Sequence, residues 1–145
     1  MKLSSMQKAY LAGFLDGDGS IYVRAKPNHT YRFGYQIAPY IVFYQSSKSD
    51  KFKNIYSLIG FGHKRMRADG ITEYIISKRD DIVSFTIAVK PFLILKQRQA
   101  ELLLQIIKQK EFVKSKKDFE KILQLCNKFR TLNYSKKRKI RTVHP

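Results

Sequence analysis

The sequence predicts a single α+β domain, ordered α-β-β-α-β-β-α with extra helices at its C-terminal end. Three observations carry that reading. Apolar spacing changes from a helical period to strict alternation near Ser20, returns near Ser47, and then repeats the change. Turn-forming residues divide the pattern further: Pro27-Asn28-His29-Thr30 and Asp69-Gly70 within the alternating stretches, and Gly60 at the end of a helical one. The 145 residues suit one core, and no linker-like stretch or internal repeat divides them. Two hairpins, each with one apolar face, then form a four-stranded antiparallel sheet with helices on one face. The domain is expected to span 1–145, with a basic tail from about residue 135.

The elements follow in order. A helix is expected from Ser5, as N-cap, through Asp16; Ala9, Leu11, Ala12, Phe14 and Leu15 make it apolar on more than one side, so it must be buried. From Ser20, Ile21, Val23 and Ala25 alternate with Tyr22, Arg24 and Lys26, giving a strand with a core face and a basic, aromatic face. The return strand, from about Tyr31 to Gln45, puts Phe33, Tyr35, Ile37, Ile41 and Phe43 on one parity and Arg32, Gln36, Tyr40 and Tyr44 on the other. Pro39 cannot donate to a ladder, which predicts an edge position or a bulge; a bulge would also move Gln45 off the apolar parity.

A short helix is expected over Ser47 to Leu58, capped by Ser47 or Ser49 and ended by Gly60. A second hairpin, 61–68 and 71–77, turns at Asp69-Gly70, with His63, Arg65 and Arg67 on one face of its first strand. Asp80-Asp81 open a helix reaching Val89, where Lys90-Pro91 interrupts it. Further helices are expected from Phe92 to Lys110 and from Lys117 to Leu132. The segment 135–141 has no core pattern and reads as a solvated tail or a phosphate-contacting arm.

Charge narrows the function. With 29 Lys plus Arg against 11 Asp plus Glu, the formal net charge is +18, which points to a polyanionic partner. Nucleic acid fits better than an anionic membrane, because the basic residues are interleaved with strand segments and Tyr. No run of about 18 apolar residues occurs to span a membrane, and the start lacks a signal-peptide pattern, so an intracellular protein is expected. The lone Cys126 agrees with a reducing compartment and reads as a small core residue.

The stretch 11–19, Leu-Ala-Gly-Phe-Leu-Asp-Gly-Asp-Gly, is the organising motif. Gly13 and Gly17 fall on one side of a helix, where their lack of side chains lets a second helix approach closely, at about 1 kcal/mol each in propensity. Six letters of the motif, Leu11, Ala12, Gly13, Asp16, Asp18 and Gly19, together with its place before a strand, Tyr44-Gln45-Ser46 and the segment 91–100, resemble the LAGLIDADG homing endonucleases, in their single-motif homodimeric branch. The resemblance covers about the first 110 residues and implies a four-stranded, saddle-like sheet.

It also implies a sequence-specific, intron-encoded double-stranded DNA endonuclease acting on a long pseudo-palindromic target, with Mg²⁺ or Mn²⁺ in its place and no small-molecule cofactor. By the same resemblance, Asp18 and the backbone carbonyl of Gly17 hold the metal, Gln45 orders the attacking water, and Lys96 polarises that water or offsets charge on the phosphate. Asp16 either bonds across the helix pair or caps backbone groups. The dimer would form through Leu11, Ala12, Gly13, Asp16 and Gly17. Contacts to DNA are expected from Tyr22, Arg24, Lys26, Asn28, Tyr31, Arg32, Gln36, Tyr40, Lys48, Arg65, Arg67 and Glu73. A basic residue that the family places near Ser49 is missing here, with Lys48 adjacent. The compartment implied is a prokaryotic cytoplasm or an organelle. A non-cleaving RNA maturase or DNA-binding protein of the same fold is the alternative.

Overall fold

A computed structural model describes residues 1–133 and 141–143. Its elements run α1 (Ser5–Asp18), β1 (Gly19–Pro27), β2 (Tyr35–Ser46), α2 (Lys53–Ile59), β3 (His63–Met66), β4 (Ile71–Ile76), α3 (Arg79–Val89), α4 (Gln97–Lys110) and α5 (Lys116–Leu132), with single 3-10 turns at Asp50–Phe52 and Lys90–Phe92. The fold is the expected α+β layer. One antiparallel sheet in the order β1-β2-β4-β3 turns one face to the helices. No helix among the described residues is long and apolar enough to cross a membrane.

The core lies between that sheet face and α1, α3, α4 and α5. Ile21, Val23, Ile37, Ile41, Phe43, Tyr74 and Ile76 supply it from the strands, and Leu11, Leu15, Phe85, Leu103, Ile106, Ile122 and Phe129 from the helices. Phe43 stands at its centre, fully buried, with Phe14 at 5.4 Å and Phe85 edge-on at 5.9 Å between ring centroids. Truncating such a side chain to Ala typically costs about 3–5 kcal/mol. Cys126 is the small core residue expected, 4% exposed.

Several boundaries differ from the sequence reading, each for a local reason. Helix α1 is capped by Ser4 rather than Ser5, through a reciprocal capping box with Gln7, and it continues through Asp18. Strand β2 starts at Tyr35 because residues 28–34 form a longer turn, closed by Asn28 N–H to the Gly34 carbonyl at 2.8 Å. Gly34 sits in this turn at φ +81°, where a Cβ is disfavoured. No bulge forms at Pro39: the pairing with β1 continues without a break, Val23 opposite Pro39 and Ile21 opposite Ile41. Pro39 is accommodated because β4 pairs with β2 only from Ile41 onward, so its missing donor disturbs no second ladder.

Helix α2 begins later than expected because Ser47 stays with the sheet. Its N–H donates to the Gly70 carbonyl at 2.8 Å, and its hydroxyl bonds that of Thr72 at 2.8 Å. Helix α4 begins at Gln97 rather than Phe92, since the Asp16 carboxylate holds the N–H groups of residues 94–96 in another conformation. The basic stretch 135–140 lies outside the described residues. At 141–143 the chain is packed against the domain: Asn127 grips both the N–H and the carbonyl of Arg141 at 3.1 Å, and the Tyr35 hydroxyl donates to the Thr142 carbonyl at 2.7 Å.

Candidate functional site

The sheet face turned away from the helices follows from strand parity and register. On β1 it presents Tyr22, Arg24 and Lys26; on β2, Gln36, Tyr40 and Tyr44; on β4, Glu73; on β3, His63 and Arg65. Tyr22 and Tyr40 are cross-strand partners with ring centroids 5.2 Å apart, and Lys26 donates its ammonium to the Tyr40 hydroxyl while lying over that ring. Burial pushes the Tyr22 phenol up to about 12, with the nearby Tyr44 adding to the shift. Burial and then Glu73 likewise raise Tyr44. Both phenols are therefore neutral hydrogen-bonding groups near pH 7, which suits a surface for an anion. Tyr44 and His63 belong to this face although the sequence-based contact candidates leave them out; their alternation with Tyr40 and Arg65 is the signal that could have found them.

The remaining candidates on this side lie in turns. The Asn28 side-chain oxygen accepts from the Thr30 N–H at 3.0 Å and the Thr30 hydroxyl at 2.7 Å, shaping the β1–β2 turn. Arg32 lies over the Phe33 ring at 4.9 Å, and Phe33 stacks on Phe119 of α5 at 5.0 Å, which ties the turn to the helical layer. Tyr31 is exposed beside it. Lys48 is exposed in the turn after β2, and Arg67 follows β3, paired with Asp69 and Glu73.

The second part of the candidate site is the C-terminal end of α1. Asp18 is its last residue and is exposed, and Gly19 turns the chain into β1. Gly17 lies in that last turn, where helix carbonyls lack intrahelical donors. Asp16 points back into its own protomer: its Oδ2 accepts from Ile94 N–H at 2.8 Å and Leu95 N–H at 3.2 Å, and its Oδ1 from Lys96 N–H at 3.0 Å. The Lys96 ammonium donates to the Asp16 carbonyl at 2.6 Å, so the structure brings Lys96 to the helix end that carries Asp18. A cleft of about 790 Å³ opens there, lined by Gly19, Ser20, residues 94–99 and residues 131–133.

Gln45 keeps the apolar parity because no bulge intervenes. It lines a hollow of about 420 Å³ with Tyr10, Phe14, Phe52 and Ile55, and its Oε1 accepts from the Ser46 N–H at 3.0 Å. Leu11 and Ala12 are completely buried within the protomer, so they offer no surface to a second copy. Gly13 and Gly17 face outward, in line with the exposed Met6 and Tyr10. Exposed Ile94 and Leu95, 85% and 71% accessible, lie beside the same helix end through their bonds to Asp16.

Among the described residues no group of three or more His, Cys, Asp or Glu side chains forms a ready-made metal cage. One exposed carboxylate at the negative end of a helix, beside a last-turn carbonyl that lacks an intrahelical donor, still fits a hard, largely hydrated cation that takes further ligands from phosphate. Asp18 with the Gly17 carbonyl is such a donor set.

Comparison with known proteins bears on the fold and the family. The family model for the LAGLIDADG endonucleases matches residues 11–89. DNA endonuclease I-CreI of Chlamydomonas reinhardtii is 38% identical over 136 residues, covering 90% of this chain and 80% of that protein. DNA endonuclease I-CvuI of Chlorella vulgaris is 32% identical over 133 residues, covering 91% and 83%. The crystal structure of the homing endonuclease I-CvuI in complex with its target, in the presence of 2 mM Ca, superposes with a TM-score of 0.87 at 31% identity, covering 94% of this chain and 87% of that one. A family match over more than half the chain, a relative aligned along nine-tenths of it, and a sheet of the same build place the organising motif in its expected setting, and the chain belongs to the LAGLIDADG endonuclease family.

Proposed function

We infer that this chain is a homing endonuclease that cuts double-stranded DNA at a specific site. The observation that carries this reading is the meeting of Lys96 with the helix end that bears Asp18, at one end of a strand face set with Arg, Lys, Gln and Tyr. The strand face supplies phosphate attraction from its cations. Its Gln and Arg can read adenine and guanine edges in the major groove. Relatives at 38% and 32% identity are named DNA endonucleases, and I-CvuI was crystallised with DNA targets.

We propose further that the enzyme works as a homodimer with a divalent cation, Mg²⁺ or Mn²⁺. The outward glycines of α1 with Met6 and Tyr10 support assembly through that helix, which sets two copies of Asp18 close together. Asp18 and the Gly17 carbonyl hold the ion, which when bound supplies a water of lowered pKa and charge neutralisation at the phosphate. Lys96 keeps a positive charge where the phosphate becomes more negative. Gln45, on the helix side of β2, orders solvent from the separate hollow that it lines with Tyr10 and Phe14, rather than from the DNA-facing surface.

The test is incubation of the protein with a library of long duplex targets and Mg²⁺, followed by sequencing of the ends produced. The expected result is cutting at one long, imperfectly palindromic sequence, with Asp18→Asn binding that sequence but leaving it whole. I-CvuI was crystallised on the I-CreI target in 2 mM Mg with the DNA not cleaved, so binding is scored separately from cutting. Absence of cuts across the library, with retained binding, would favour the maturase or DNA-binding alternative.

A further inference from the structure

We propose that Asp16 is a positioning residue for Lys96, holding both ends of that lysine against the helix end that carries Asp18. This rests on the endonuclease reading above. The carboxylate of Asp16 takes three successive backbone N–H groups, those of Ile94, Leu95 and Lys96, at 2.8, 3.2 and 3.0 Å. The carbonyl of the same residue takes the Lys96 ammonium at 2.6 Å. One residue thus fixes the main chain of Lys96 through its side chain, and the side chain of Lys96 through its main chain.

Electrostatics favour both halves. Lys96 is the N-cap of α4, whose own side chain forms no cap bond, so the Asp16 carboxylate supplies negative charge at the positive end of that helix. The ammonium meanwhile lies at the negative end of α1. Two helix ends of opposite polarity, about 80 residues apart in sequence, are joined through a single pair. The result is order in a side chain that is otherwise a flexible four-carbon stem. Asp18 follows Asp16 by two residues on the same rigid helix, so the clamp sets the ammonium relative to the proposed metal ligand.

A plain helix cap would also use Asp16, but its loss would act independently of Lys96. A positioning residue has no effect left once Lys96 is gone. The experiment measures single-turnover cleavage in Mg²⁺ and target affinity for the full chain and for Asp16→Asn, Asp16→Ala, Lys96→Ala and the Asp16→Ala/Lys96→Ala double variant. Loss of the clamp is expected to slow cleavage about 10- to 100-fold, the scale of a misplaced catalytic group, with affinity and sedimentation unchanged. Asp16→Asn, which keeps an acceptor oxygen, falls between. The double variant cuts no more slowly than Lys96→Ala.

Multiplied effects in the double variant, or wild-type cleavage by Asp16→Ala, would overturn the proposal. Wild-type cleavage by Lys96→Ala would instead remove Lys96 from the proposed mechanism, and the clamp with it, a result visible in that variant alone. Should Asp16→Ala fail to fold, Asp16→Asn with and without Lys96→Ala carries the same comparison.

Discussion

The Glu73 carboxylate stands 3.7 Å from the Arg67 guanidinium in an otherwise basic strand face. Arg65, its cross-strand partner, lies 3.9 Å away, and the Glu73 side chain is 14% exposed against 38% for Arg67 and 69% for Arg65. Glu73 therefore draws charge from two arginines, of which Arg67 is also held by Asp69. Pairs with such exposed partners contribute little to stability, about 0–1 kcal/mol. Their weight falls on DNA recognition.

Glu73→Gln is accordingly expected to leave folding nearly unchanged while strengthening binding to unrelated duplexes. Freeing one arginine for a phosphate adds about 0.9 to the slope of log affinity against log salt. Discrimination between the target and competitor DNA falls in parallel. Affinity measured over a salt series on both kinds of duplex checks this, and an unchanged slope would place Glu73 outside the DNA interface.

Gly19 is where α1 turns into β1, directly after Asp18. A Cβ built there would lie 2.5 Å from the Leu15 side chain and 2.9 Å from the Leu15 carbonyl, while φ is −120°. The constraint is therefore steric overlap, not backbone strain. The carbonyl belongs to a rigid helix and cannot retreat as a flexible side chain can. Gly19→Ala is expected to destabilise the fold by about 1–3 kcal/mol, the usual cost of overpacking, and to slow cleavage by displacing Asp18. Urea denaturation and single-turnover cleavage read the two effects.

Tyr74 offers a pH test of the core. Its hydroxyl is buried without a hydrogen-bond partner among the described residues, in a side chain 2% exposed. Burial, with Asp81 nearby, pushes the phenol up to about 12 from 10.0. Between pH 10 and 12 the unfolded chain releases this proton while the folded chain keeps it, so stability is intact below about pH 10 and declines as pH rises through that window. Tyr22, also raised to about 12, adds in the same direction. Tyr74→Phe keeps the ring against Phe43 and Tyr56 and removes the unpaired hydroxyl. It is expected to match or exceed wild-type stability at about pH 8 by up to about 1 kcal/mol and to weaken the alkaline decline. Urea midpoints from about pH 8 to about pH 11.5 check both.

How much of this is legible in the sequence follows from the range of each interaction. The basic strand face can be read because alternation is local, and Arg24 or Tyr40 needs only its own neighbours to declare its side. The side taken by Gln45 depends on whether Pro39 forces a bulge, and that is settled by how far β4 extends along β2, a fact of pairing that no local pattern states. The start of α4 is hidden for a similar reason. Phe92 to Gln97 has helical spacing, but an aspartate about 80 residues earlier captures its N–H groups. Leu11 and Ala12 read as a subunit surface because a helix apolar on most sides does not say which apolar side its own sheet will cover.

That division of α1 gives a test in which folding and assembly move in opposite directions. Beyond the backbone of their own helix, Gly13 and Gly17 have no atom within 4 Å of where a Cβ would stand, so in a lone protomer Ala fits at both positions. Replacing each glycine there should raise protomer stability by about 1 kcal/mol through helix propensity. If a second copy packs its helix on this face, the added methyl groups occupy the space that close approach requires. Gly13→Ala/Gly17→Ala is therefore expected to have a higher urea midpoint at low concentration yet a weaker dimer, about tenfold weaker for every 1.4 kcal/mol by which the methyl groups disfavour association. Sedimentation of wild type and variant across a concentration series separates the two effects. A wild type that stays monomeric at micromolar concentration, or a variant that dimerises as tightly, would remove α1 from the assembly and leave its glycines without a role in close packing.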